Sequence, residues 1–202
     1  MRRPKGEKGF TLVELAIVLV IIGIILGAVL KGQELINNAK IKRLYNQQRE
    51  IFAAVYSYYD KYGRFPGDDT IVSTRWAGSQ DGDGDGRIEN GFVYTCVAAP
   101  EVATEESCNA WNHLRLANII TGSGRTNPTN SYGGAISVAY TPGAVAGEPV
   151  DAGNWIALQN IPRDVAWSLD SQYDDGVWNT GSMQASADFT AAGAEVVLYS
   201  EI

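Results

Sequence analysis

The sequence predicts an α+β protein: a long N-terminal helix, membrane-spanning in its first half, packed on a C-terminal head with an antiparallel β-sheet and short helices. Three observations carry this. Phe10 to Leu30 is an unbroken apolar run. A helical stripe of apolar residues continues beyond it to Tyr62. Past Gly63 the composition turns to glycine, aspartate, asparagine and aromatic residues, with short strand-like runs between them.

The first element opens with MRRPKGEKG, in which Arg2, Arg3, Lys5 and Lys8 stand against Glu7. The 21 residues that follow carry one charge, Glu14, and no polar face after it. As a helix they span about 31 Å, the thickness of a bilayer's hydrocarbon core. A cleaved secretory signal has a shorter apolar run and a small-residue cleavage site after it. Here the run passes into Lys31-Gly32-Gln33-Glu34 with no such site. A plain anchor fits the length but leaves Glu14 unexplained, since a carboxylate at membrane depth costs about 2.5–3.5 kcal/mol or more. Basic residues flank both ends of the run, so their count does not set its orientation. Gly23 and Gly27 form a G-x-x-x-G, a weak signal for close helix packing.

The helical pattern then continues through Ile41, Leu44, Ile51, Val55, Tyr58 and Tyr62, interrupted by Gln48. Gly63 supplies a C-cap and Pro66 lies beyond it. A single helix from Phe10 to Tyr62 would be about 80 Å long. Two helices broken at Gly32 are the alternative. In the head, strands are expected at Gly91–Val97, Ala135–Tyr140, Trp155–Leu158 and Glu195–Tyr199. Helices are expected at Thr104–Ile120 and Pro162–Tyr173.

Composition narrows the function classes. The chain has 202 residues, 45% hydrophobic and 19% charged, with 16 Lys and Arg against 23 Asp and Glu, a net charge of −7. That balance argues against a nucleic-acid binder, which would present a basic face. Two Cys and one His leave little for a Cys/His zinc site or a His-based active site. No G-x-S-x-G, phosphate-binding loop or H-E-x-x-H is present, so an exported enzyme is disfavoured.

A basic leader, then Gly9-Phe10-Thr11-Leu12-Val13-Glu14, then an apolar helix, resembles the N-terminal signal of type IV pilins and pseudopilins. The resemblance implies a type IV pilin fold and cleavage by a prepilin peptidase between Gly9 and Phe10. It implies N-methylation of Phe10 and retention of the apolar run in the mature protein. It also implies that Glu14 serves assembly, its carboxylate meeting the Phe10 amine of a neighbouring copy. A Glu14 that snorkels or protonates without a partner is the competing account. On this reading residues 1–9 are a prepilin leader, 10–30 the transmembrane and filament-core helix, 31–62 an amphipathic helix and 63–202 the globular head. Removing the leader, which carries net +3, leaves a mature chain of net −10. The implied location is the inner membrane, single-pass with the head periplasmic, and then a surface pilus or periplasmic pseudopilus. The implied partners are the membrane, prepilin peptidase, an inner-membrane assembly platform and further copies of itself or related pilins. The Tyr62-Gly63-x-x-Pro66-Gly67-Asp68 turn, Trp111-Asn112-His113-Leu114, and Leu169-Asp170 through Asp174-Asp175-Gly176 resemble landmarks of a group of pilin-like proteins.

Three groups in the head could carry chemistry. Asp81, Asp83 and Asp85 with Gly86 match the first half of an EF-hand-type calcium loop, with the Arg87 carbonyl as a further ligand and Ile88 as an anchor. The twelfth position is Phe92 instead of a bidentate Glu, so a Ca2+ site would need Glu89, Asp68 or Asp69 to complete it. The alternative is a solvated acidic turn. Asp170, Asp174 and Asp175 would either make an exit turn or bind a cation. Cys96 and Cys108 would pair as a disulfide if the head is exported, or remain two buried thiols. His113 is expected to be a packed residue, and Trp76, Trp155, Trp167 and Trp178 core or interface residues rather than a sugar platform. The function expected is a structural subunit of a pilus-like filament or of a type II secretion pseudopilus, with a receptor-type minor pilin, binding an adhesion ligand or DNA, as the alternative.

Overall fold

The computed structural model describes residues 9–97 and 105–202. The leader up to Lys8, and Thr104 of the expected second helix, lie outside the described residues. The chain divides into two compact units, Met1–Lys40 and Ile41–Ile202. The second unit takes in the last part of the long helix, because the apolar stripe from Leu44 onward belongs to that unit's core.

Helix α1 (Leu12–Tyr62) has 51 residues and is unbroken at Gly32. Its stretch in the first unit is exposed except at half-buried Gly32, with a mean hydropathy of 3.0 in its most apolar window. In the second unit Leu44, Ile51, Ala54, Val55 and Tyr58 are buried, the helical spacing expected of a face that meets a core. The helix stops where Gly63 adopts φ +72° and donates its N–H to the Tyr59 carbonyl at 2.7 Å.

The head continues through α2 (Val72–Arg75), α3 (Glu106–Leu116), β1 (Ile136–Thr141), β2 (Gly153–Pro162), α4 (Arg163–Tyr173), β3 (Met183–Ala185) and β4 (Glu195–Glu201). The strands form one antiparallel sheet in the order β1-β2-β4-β3. β2 is longer than the run Trp155–Leu158 suggests, because a bulge between Leu158 and Ile161 lets pairing with β4 resume. Asn160 takes φ +59° there. Alternation along β2 sends Ile156 and Leu158 to the main core and Trp155 and Ala157 to the opposite face. The main core joins them to Trp111 and Leu114 of α3, Ala166 and Leu169 of α4, and the α1 stripe. Phe92 and Tyr94 cover the opposite face with Tyr199.

The expected strand at Gly91–Val97 is not a strand. The segment lies beside β1, but one side chain does the work of a ladder. Asn127 Nδ2 donates to the Val93 and Ile136 carbonyls, each at 2.9 Å, and Asn127 Oδ1 accepts the Cys96 N–H at 2.9 Å. An amide with two donors and an acceptor can satisfy backbone groups without in-register pairing. The three-residue β3 and four-residue α2 are too short to leave a periodic signal.

Cys96 and Cys108 form a disulfide that ties this segment to α3. Closing a loop with a sequence separation of 12 is worth about 3 kcal/mol, chiefly through the unfolded chain. The Cys96→Ala, Cys108→Ala double variant is expected to melt about 6–12 °C below the wild type. Reductant should lower the wild type toward the variant and leave the variant unchanged, as read by thermal denaturation.

Candidate functional site

The N-terminal junction is built by the first turn of α1. Gly9 and Phe10 precede the helix, and Phe10 is 79% exposed. Thr11 accepts the Glu14 N–H on its hydroxyl at 3.2 Å, and its carbonyl accepts the Leu15 N–H at 3.2 Å. Glu14 reaches back: its Oε2 accepts the Thr11 N–H and the Thr11 hydroxyl, both at 2.8 Å. This is a reciprocal capping box, which satisfies orphan donors and holds a carboxylate at the positive end of the helix dipole. The T-x-x-E spacing is its sequence signature, and it gives Glu14 an intrahelical role beside any role in assembly.

The acidic loop does not gather the ligands of the expected calcium loop. Asp81 turns away to α2, where its two oxygens accept the Ser73 N–H and hydroxyl, each at 2.7 Å. Glu89 is exposed, and Arg87 pairs with Asp85 at 3.6 Å and lies over the Tyr140 ring. The Asp83 and Asp85 carboxylates each accept the N–H two residues on, at 3.1 and 2.8 Å, the geometry of Asx turns. The residue that joins them is Asp68, from the far side of the loop, with ligand oxygens of the three within 4.8 Å. Asp68 is already engaged, accepting the Gly84 N–H at 2.6 Å and the Gly86 N–H at 3.0 Å. Ile88 is the buried anchor expected. Asp68 lies thirteen positions before Asp81, outside the Asp-x-Asp-x-Asp-Gly pattern, so spacing alone could not place it.

Behind the loop, Glu106 at the start of α3 is buried and accepts the Asp83 N–H at 3.1 Å and the Glu89 N–H at 3.0 Å. Burial pushes its carboxyl up to about 7, against the pull of those two amides and with the help of Asp68 and Asp83. Asp69 is also buried. Its oxygens accept the Tyr58 hydroxyl at 2.8 Å and both guanidinium ends of Arg75, at 2.6 and 3.0 Å. Burial raises the Asp69 carboxyl, but the Arg75 and Tyr58 bonds outweigh it and leave it below its ordinary value. His113 is a packed residue, as expected. Its Nδ1 accepts the Gly67 N–H at 2.9 Å, which docks the Tyr62–Asp68 turn on α3, and burial pushes the imidazole down to about 4. Gly67 is required there: with φ +97°, a Cβ would stand 2.5 Å from the Glu106 carbonyl.

Asp174 and Asp175 make the exit turn of α4, and Asp170 lies buried beneath them. Of Trp76, Trp155, Trp167 and Trp178, Trp155 is buried and Trp167 exposed, so they do not form one exposed face.

Residues 4–30 match the family model described as the prokaryotic N-terminal methylation motif. The match supports a type IV pilin-like prepilin signal, and with it a pilin-like or pseudopilin precursor processed by prepilin peptidase. No curated protein and no solved structure matches the chain.

Glu106 makes the head's stability depend on pH. Its folded pKa lies above the ordinary 4.5, at about 7, so the folded state binds more protons than the unfolded chain between those values. Its contribution to stability therefore falls as pH rises from about 4.5 to about 7. Glu106→Gln loses one accepted bond at every pH but removes this slope. The melting temperature of the variant relative to wild type should climb steadily across that interval.

Proposed function

We propose that this protein is a structural, non-enzymatic subunit of a type IV pilus-like filament or type II secretion pseudopilus, cut between Gly9 and Phe10 and assembled through α1. One observation carries the reading: a prepilin-type junction directly heads a long helix whose first stretch is apolar on every side. Such a surface has no stable home in water. Each fully buried Leu, Ile or Val side chain gains about 1.5–3 kcal/mol, and Leu12 to Leu30 holds many of them. Lipid satisfies that surface in the precursor. Neighbouring copies of the same helix satisfy it in a filament.

Glu14 gives this transfer a register. Its carboxylate is fixed in the first turn by Thr11. Cleavage after Gly9 places a new amine at Phe10, one residue from that cap. A carboxylate held at a helix start and an amine on an adjacent copy form a charge-assisted pair, and out of water either charge left without the other is costly, which penalises any other register. Before assembly the chain sits in the inner membrane with its head in the periplasm, where a disulfide persists.

Intact-mass analysis of protein from its host should show a chain that starts at Phe10 and carries one added methyl. A mature chain that retains Met1 would remove the filament reading. Glu14→Gln separates the two roles of the carboxylate, because glutamine keeps the capping box and loses the charge. The variant should insert in membranes at wild-type level and yield no filaments by electron microscopy. Normal filaments from Glu14→Gln, with loss only in Glu14→Ala, would assign the role to the cap instead.

A further inference from the structure

The end of α4 holds an unpaired charge that the filament reading does not use. Asp170 has no exposed surface, and neither of its carboxylate oxygens has a hydrogen-bond partner. Asp174 and Asp175 lie just beyond it, and one oxygen from each of the three falls within 4.8 Å of the others. Among the described residues no Lys or Arg ion pair reaches any of them. Two carboxylates beside a third that is buried and without a hydrogen-bond partner raise the cost of ionising it.

The two outer carboxylates are fixed in place. Asp174 Oδ2 accepts the Met183 N–H at 2.8 Å and its Oδ1 the Ser182 hydroxyl at 3.4 Å. Asp175 Oδ1 accepts the Val177 N–H at 2.8 Å, and its Oδ2 accepts the Thr180 hydroxyl. Gly181, with φ +78°, lets the chain pass where a Cβ would stand 2.1 Å from Asp174 Oδ2. The loop between α4 and β3 thus wraps the carboxylates and turns them inward over Asp170. Burial raises the Asp170 carboxyl to about 7, reinforced by Asp175 and Asp174. The Gly176 amide lies near Asp170 but makes no hydrogen bond of ordinary geometry with it.

We propose that Asp170, Asp174 and Asp175 bind a calcium ion that pins the loop between α4 and β3. The donor set is all oxygen, which suits a hard cation. Two oxygens that share a calcium at about 2.3–2.6 Å lie at most about 5 Å apart, and the three carboxylates each offer an oxygen inside that span. Magnesium, at about 2.0–2.1 Å, needs tighter convergence and sheds its waters reluctantly. The acidic loop around Asp83 does not share the decisive feature, because Asp68 there has its amide partners.

The test uses the full chain in detergent micelles at pH 8, stripped with chelator and melted with and without calcium or magnesium chloride. Calcium a hundred-fold above its Kd should raise the melting temperature by about 5–10 °C, and magnesium by less. Asp170→Asn should lose the calcium shift and, free of metal, melt above metal-free wild type, since it removes an unpaired buried charge. Asp175→Asn, at an exposed position, should weaken calcium at least tenfold by titration calorimetry, and serves if the Asp170 variant does not fold. No calcium shift in wild type up to millimolar concentration would overturn the proposal. So would a shift that survives Asp175→Asn but is lost in Asp83→Asn, which would move the ion to the other acidic loop.

Discussion

Buried backbone must find hydrogen-bond partners, and among the described residues between Tyr62 and α3 there is almost no regular structure to supply them. Carboxylates supply them instead. Asp68 accepts two amides, Glu106 two, Asp69 one amide with a hydroxyl and a guanidinium, and Asp81 an amide with a hydroxyl. An ionised carboxylate accepts several bonds at once and so organises an irregular loop better than any neutral side chain. The consequence is a head that buries acids. It also explains why an alternating Asp-Gly run need not be a metal loop. The glycines allow the turns, and the aspartates are spent on backbone amides.

The long helix faces two different environments along one continuous element. From Leu12 to Leu30 its apolar residues surround it, and among the described residues nothing in its own unit covers them. From Leu44 to Tyr58 one stripe, Leu44, Ile51, Ala54, Val55 and Tyr58, is buried, while Phe52 and Tyr56 stay exposed. A single helix can join these regimes because helical hydrogen bonds are internal and hold in lipid, in a bundle or beside a sheet. Its start is fixed by the Thr11–Glu14 box and its end by Gly63. Tyr58 then couples its last turns to the acidic loop through Asp69 and Arg75.

What the sequence could convey followed from periodicity and local chemistry. A run of 21 residues with one charge, a stripe at helical spacing, glycine after Tyr62 and the β-branched runs of β1, β2 and β4 are all local signals, so those elements were legible. The junction at Gly9 and Phe10 was legible for the same reason. The Cys96–Cys108 pairing needed only two cysteines and an oxidising destination. The segment Gly91–Val97 shows the limit. It has the composition of a strand, yet Asn127, thirty-one residues from Cys96, takes the ladder's place.

By itself, then, the sequence determined the long helix, the class of the head and the signal at its start, because each is written within a few neighbouring residues. Tertiary structure alone decided which acids stand together. Asp81 left its own motif for Ser73, and Asp68 entered from a turn docked on His113. Asp170 became an orphan only because α4 is buried on that side. Whether a carboxylate is solvated, spent on an amide or left facing two others depends on what packs against it. That is a property of long-range contacts, which carry no spacing in the chain.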